Sequence, residues 1–196
     1  MTIAGWIGAA GAVLFVVVFL LEGRVRPGYS PVRHPVSALA LGPRGWIQTL
    51  NFLLCGAAVA VGGAGIVITG VSPVLGIVLA IVGVGLLLSG TFRMDPVRGY
   101  PPGTPDGDPP STSIWHRLHD VVGMILFLAL PAAAAVAAFV LPGLAWKILS
   151  GVVALWLVGT VAAFGAAWEN DSPRTGLVQR AFLVPGMLWT AAVISL

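Results

Sequence analysis

Charge is what this sequence has least of. Only 9% of its 196 residues are Asp, Glu, Lys or Arg, against about 25% in a soluble domain. Apolar residues make up 58%, and mean hydropathy is +0.99. A water-soluble fold of this length cannot hide so much apolar surface, so the solvent has to be lipid. Lysine is nearly missing, with Lys147 standing alone, and no run is rich in Lys or Arg. That excludes nucleic acid as a partner; the net charge of +3 rests on only ten basic side chains. Cysteine is reduced to Cys55, inside an apolar stretch. It can form no internal disulfide and belongs to no metal-type pair, which leaves a small buried hydrophobe.

What is present is a series of uncharged stretches. The length allows one domain, residues 1–196, with no room for a separate soluble module. The fold class expected is all-α, a bundle of six transmembrane helices over about 3–21, 46–70, 73–92, 118–141, 146–168 and 176–196. The first stretch has no basic start and no small-residue cleavage site, so it reads as a span rather than a signal peptide. Residues 45–92 carry no charge and are too long for one crossing; Val71-Ser72-Pro73 supplies the turn. Small-xxx-small series, Gly56, Ala60 and Ala64 on one helix and Gly76 and Ala80 on the next, predict close packing. Pro131 and Pro185 fall inside spans, where the carbonyls they free need a neighbour or a water.

Two connections, near residues 72 and 143, are short, and three, 22–45, 93–117 and 169–176, are long and polar. Nine of the ten Lys and Arg residues lie at the polar end, all but Lys147. The excess places that end in the cytoplasm of a multi-pass cell-membrane protein, with both termini outside. Arginines that serve a site do not count freely in that vote.

All seven acids and all three histidines gather at the same end. Ionisable groups at membrane depth are costly unless they pair or face a cavity, so the pattern points to a polar chamber at one end of an apolar bundle. Such a shape suits a ligand with a polar head and a greasy tail. The groups bracketed by apolar residues stand out: Asp95 after Phe92-Arg93-Met94, Glu169 behind Trp168, and His119-Asp120 running into Val121-Val122. His116, His119 and Asp120 share one helix face if the fourth helix starts that early. With Asp95 they are compatible with zinc, but they lack the His-Glu-x-x-His pattern, and neither a metal nor a cofactor is assigned. Ser37 with His119 and Asp95 has the composition of nucleophile, base and orienter. Plain acid–base chemistry is the third option, with Asp95 or Glu169 as an acid of raised pKa at the edge of the chamber. Aromatic faces such as Trp115, Trp168 and Phe92 are suited to steadying a cationic intermediate.

The long connections read as lids. Residues 99–114 hold five prolines and cannot be helical. Val36 to Leu41, more apolar, is expected to lie in the interface or re-enter the bundle, with Ser37 as its cap. Trp6, Trp46 and Trp146 read as interfacial belt residues.

Several stretches together resemble a known family. They are Arg26-Pro27-Gly28-Tyr29-Ser30-Pro31, His34-Pro35-Val36-Ser37-Ala38-Leu39, Gly42-Pro43-Arg44-Gly45-Trp46, Gly90-Thr91-Phe92-Arg93-Met94-Asp95-Pro96, Gly99-Tyr100-Pro101-Pro102-Gly103, His119, and Gly176-Leu177-Val178-Gln179-Arg180. The chain is similar over nearly its whole length to bacterial proteins of the "domain of unknown function 998" class. The resemblance implies a six-helix membrane protein of about this size and carries no activity with it. It also implies Ser37, Asp95, His119 and Arg180 as site residues; Glu169 and His116 come from the residue argument alone.

The first functional reading is a membrane-embedded enzyme acting on an amphiphilic or isoprenoid small molecule. Asp95, His119 and Glu169 are its catalytic set, and Ser37, Arg93, Arg180, His116, Trp115 and Trp168 its substrate contacts. The logic is like that of a terpene cyclase, or of a zinc-dependent lipid hydrolase if metal is present. The competing readings are a transporter or lipid-binding protein without covalent chemistry, and an accessory subunit of a membrane complex, with no particular protein partner indicated. The absence of a detectable repeat between the halves and the placement of charge at one end speak against the transporter.

Overall fold

A computed structural model describes residues 2–196. Six long helices carry the chain: α1 Ile3–Val25, α2 Gly45–Thr69, α3 Pro73–Thr91, α4 Ile114–Val140, α5 Leu144–Glu169 and α6 Thr175–Ile194. All six are long and apolar enough to cross a membrane, and no β-strand occurs among the described residues. The shortest, α3 with 19 residues, extends about 28 Å at 1.5 Å per residue, close to the thickness of the hydrocarbon core. The helix ends follow the residues present. Ser72 accepts the amide of Leu75 and is followed by Pro73 in the first turn, where the missing N–H costs nothing. Gly70 closes α2 in the left-handed conformation. Relative to the uncharged stretches, α1 runs past Leu21 to Val25 and α4 starts earlier, at Ile114.

Each helix packs on its neighbours in sequence, and α6 closes the bundle against α1. Two lipid-exposed surfaces gain little by coming together in lipid, so close backbone approach has to hold the pairs. It does so at α2–α3: a side chain at Gly56 or Gly63 on α2, or at Gly76 or Gly83 on α3, would run into backbone of the facing helix. The α2 row is therefore Gly56, Ala60 and Gly63 rather than Gly56, Ala60 and Ala64. A row of strict four-residue steps drifts off a helix face with 3.6 residues per turn, and alternating steps of four and three keep the seam in contact. Ala64 faces outward.

Residues 36–40 form one turn of 3₁₀ helix, Val36–Ala40, which packs on α1, α2 and α6. Val36, Ala38 and Leu39 are almost fully buried, so the segment re-enters the bundle rather than lying on the interface. Its N-cap is Pro35, with no side-chain hydrogen bond. Ser37 lies inside the turn, and the capping role expected for it is not realised.

The polar end is knitted by buried charge. Glu22, at the end of α1, accepts from Arg26 Nη2 at 2.7 Å and Nε at 3.0 Å, and from Arg44 as well. Arg26 donates further to the carbonyls of Leu41 and Arg44. Four arginines are thus committed to the fold, since Arg98 and Arg180 are engaged in the same way (below).

Candidate functional site

The start of α4 is built as a unit. Ser113 caps the helix by accepting the amide of His116 at 3.1 Å. Asp95 grips that cap, its carboxylate accepting from the Ser113 amide at 2.6 Å and from the Ser113 hydroxyl at 2.7 Å. His116 Nδ1 accepts the backbone N–H of Asp95 at 3.0 Å. In the neutral ring the proton is then on Nε2, which faces Asp120 Oδ2 at 3.5 Å, one turn further on. His119 has the opposite arrangement. Its Nδ1 is 2.7 Å from the carbonyl oxygen of Phe92, which can only accept, so Nδ1 carries the proton and the neutral ring keeps its lone pair on Nε2.

The surroundings of Asp95 depart from the expected acid of raised pKa. Burial pushes its carboxyl up, but the two hydrogen bonds from Ser113 together with the neighbouring His116 ring outweigh it and hold the group below the usual carboxylate range. Asp95 is an anchor for the N-terminus of α4 and does not line the chamber described next.

That chamber is a cleft of about 420 Å³ bounded by α4, α5, the 3₁₀ turn and α6. Most of its wall is apolar, from Met94, Met124, Phe127, Leu128, Val161, Phe164 and Trp168, and its polar groups are Ser37, His119, Asp120, Glu169 and Gln179. Met124 and Leu128 are also exposed on the outer face of α4, so the cleft opens sideways, towards lipid. An inner cavity of about 40 Å³ continues it towards α2 and α3. Ser37, His119, Gly123, Phe127 and Gln179 line both spaces. Gln179, only 6% exposed, accepts the backbone N–H of Val36 through Oε1 at 2.6 Å, so its amide NH₂ is the group left to face the cavity.

Two glycines make the room. A Cβ at Gly123 on α4 would meet nothing within 4 Å, and neither would one at Gly165 on α5. Glycine inside a helix costs about 0.5–1 kcal/mol relative to alanine. At α2–α3 that cost is offset by backbone contact; at Gly123 and Gly165 the structure offers only empty cleft in return.

The structure therefore brings together Ser37, His119, Glu169 and Trp168 from the expected set and adds Asp120 and Gln179. It does not bring the others there. His116 is buried between Asp95 and Asp120. Trp115 is exposed and stacked on Phe92, with ring centroids 5.8 Å apart, and Arg93 is exposed on the polar end. Arg180 is buried; its Nη1 donates to the carbonyls of Pro31 (2.7 Å), His34 (3.1 Å) and Gly176 (3.0 Å) and its Nη2 to the Tyr29 hydroxyl (2.6 Å), while Nε has no partner among the described residues. It staples the 29–35 loop and is not free to hold a head group. Arg98 reaches from the second long connection to Asp108 and to the carbonyl of Trp168 at 2.8 Å, and stacks 4.0 Å over the Trp168 ring. Among the described residues no three His, Cys, Asp or Glu side chains are grouped so as to hold a metal ion. His116 and His119 share a helix face, but His116 is turned to Asp95 and Asp120 and His119 Nδ1 to Phe92.

These features define an integral membrane protein with a laterally open cleft whose wall is mostly apolar, with polar groups at its inner end and at its mouth. The chain belongs to the family described as "Protein of unknown function (DUF998)", whose model matches residues 9–196. No curated protein and no solved structure matches it.

Proposed function

We propose that this protein is a membrane-embedded enzyme that draws a single amphiphile from the bilayer into the α4–α5 cleft and transfers a proton at its polar group through His119. One observation supports the reading: the one imidazole that lines the cleft among the described residues has its tautomer fixed by the Phe92 carbonyl, leaving Nε2 as a base in a mostly apolar slot. The tail lies along Phe127, Val161 and Phe164. The head reaches Ser37, His119 and the Gln179 amide, with Asp120 and Glu169 at the mouth. Buried polar groups that find a partner only when the head is bound confer the specificity. Asp95 and His116 act through α4, by holding the turn that carries His119.

Native mass spectrometry of the protein extracted in mild detergent tests binding, and one amphiphile per chain is expected. Incubation in lipid nanodiscs, followed by mass analysis of the extracted lipids, tests turnover. His119→Gln is expected to lower turnover by about 100-fold while the bound amphiphile is kept. Binding with no product from the wild type in any lipid mixture would move the protein to the lipid-handling class.

The polar end faces the cytoplasm in this reading. Arg24, Arg93, Arg117 and Arg174 are free of ion pairs among the described residues and still favour that side. A Cys55→Ala, Asp106→Cys variant should resist a membrane-impermeant maleimide in intact cells and react once the cells are opened. Labelling in intact cells reverses the orientation.

A further inference from the structure

Ser37 does no structural work that the geometry shows. Its hydroxyl has no hydrogen-bond partner among the described residues, and it faces the cleft and the inner cavity alongside His119. The backbone around it, by contrast, is pinned at each step. The carbonyl of His34 accepts from Tyr29 Oη at 3.0 Å and Arg180 Nη1 at 3.1 Å. The carbonyl of Pro35 lies 2.9 Å from the same Tyr29 hydroxyl, and the amide of Val36 is held by Gln179. A residue with a free side chain on an immobilised, buried turn is how a reactive group is presented, because its position is fixed by the shell behind it rather than by its own contacts. Arg180, expected to hold substrate, has its place in that shell.

From this we infer that Ser37 is the nucleophile and that the substrate is a carboxylic ester of a long-chain amphiphile; the inference rests on the cleft and the His119 base proposed above. Ser37 Oγ attacks the ester carbonyl carbon and its proton passes to His119 Nε2. The Gln179 amide donates to the carbonyl oxygen as it becomes anionic, the type of contact that stabilises acyl-transfer transition states. The bond between the carbonyl carbon and the alkoxy oxygen breaks, and the alcohol leaves with the proton from His119. A water, deprotonated by the same nitrogen, then adds to the acyl-serine, releasing the carboxylate and restoring the hydroxyl. The inner cavity, at about 40 Å³, exceeds the ~10–15 Å³ that one water needs by this measure, and Ser37, Ser89, His119 and Gln179 supply polar partners for it.

The test is a long-chain alkyl fluorophosphonate added to the folded protein in nanodiscs, read by intact mass and peptide mapping, with hydrolysis of the 4-nitrophenyl ester of dodecanoic acid measured in parallel. One adduct per chain, on Ser37, is expected. It should be absent in Ser37→Ala and form about 100-fold more slowly in His119→Gln. An Arg180→Lys variant should label more slowly while keeping its bound amphiphile, because Arg180 holds the loop behind Ser37 and does not line the cleft. No adduct on Ser37, or ester hydrolysis undiminished in Ser37→Ala, overturns the inference. If the amphiphile is then still bound and still turned over through His119, the proposal of the preceding subsection stands without it.

Discussion

Gly165 and His34 show what single residues decide here. Because Gly165 borders open cleft, a larger side chain there meets no backbone. Gly165→Leu should leave the fold intact, raise helix propensity by about 1 kcal/mol and fill the slot. The expected result is an unchanged or raised melting temperature in detergent together with loss of the co-purifying amphiphile; retention of the ligand at full occupancy would show that the tail lies elsewhere. His34 sets a pH dependence. Its Nδ1 accepts the Ser30 amide at 3.0 Å, and burial, followed by the charge of Arg33, holds the ring below the usual imidazole range. A group whose folded value is depressed stabilises the native state fully above the unfolded value, about 6.5, and that stability is lost as pH falls from there through the folded value. Melting temperature should drop on acidification below about pH 6.5, and His34→Gln should flatten the slope. An equally steep slope in the variant assigns the effect to other groups.

At the scale of the element, the long connections are the informative part. Of the two placements open to Val36–Leu41, in the interface or re-entering the bundle, the segment takes the second, because Arg26 and Arg180 satisfy the carbonyls that a non-helical segment would otherwise bury unpaired. Glu22 is the counter-charge of this arrangement, at 7% exposure. Removing one partner of a buried pair leaves the other uncompensated, at a cost of about 3–5 kcal/mol. Glu22→Gln should accordingly lower stability by that order in a reversible detergent or steric-trap assay, and Arg44→Gln by less, since its side chain is 45% exposed. Equal losses would assign the whole compensation of Glu22 to Arg44 and none to Arg26. The elements themselves were legible because lipid leaves a plain signal, a run without charge, and because Ser72-Pro73 and Gly70 mark their turn in the sequence. The site was legible in part. His119 declared itself by standing just before an apolar run. Gln179 did not, being a neutral amide next to the more conspicuous Arg180. The hydrogen bonds that turn Asp95 from acid to anchor come from Ser113, eighteen residues away, and spacing does not report them. Gly123 and Gly165 look in sequence like the packing glycines of α2 and α3, and only the facing surface tells them apart.

For the whole molecule, the six helices differ in how firmly they are held. α1, α2, α3, α4 and α6 each bury nine or more residues, whereas α5 buries only Ser150 and Leu157. It is tethered at intervals: Trp189 Nε1 donates to Ser150 Oγ at 3.2 Å, Trp156 Nε1 to the carbonyl of Ala181 at 2.8 Å, and Arg98 to the carbonyl of Trp168 at the polar end. One wall of the cleft is therefore the least secured helix of the bundle. A wall of this kind governs how long a guest stays rather than how tightly it is held, because a tether that is made in both the empty and the filled state cancels from the equilibrium and survives in the barrier. Arg98→Ala should shorten the residence time of a bound amphiphile in stopped-flow exchange, speeding entry and exit together, with Kd little changed. A shift in Kd alone would place Arg98 among the binding groups instead. On the function proposed above, α5 is a sprung door whose bolt, Arg98, lies at the polar end, so that the timing of an amphiphile's entry from the bilayer is set by contacts outside the membrane.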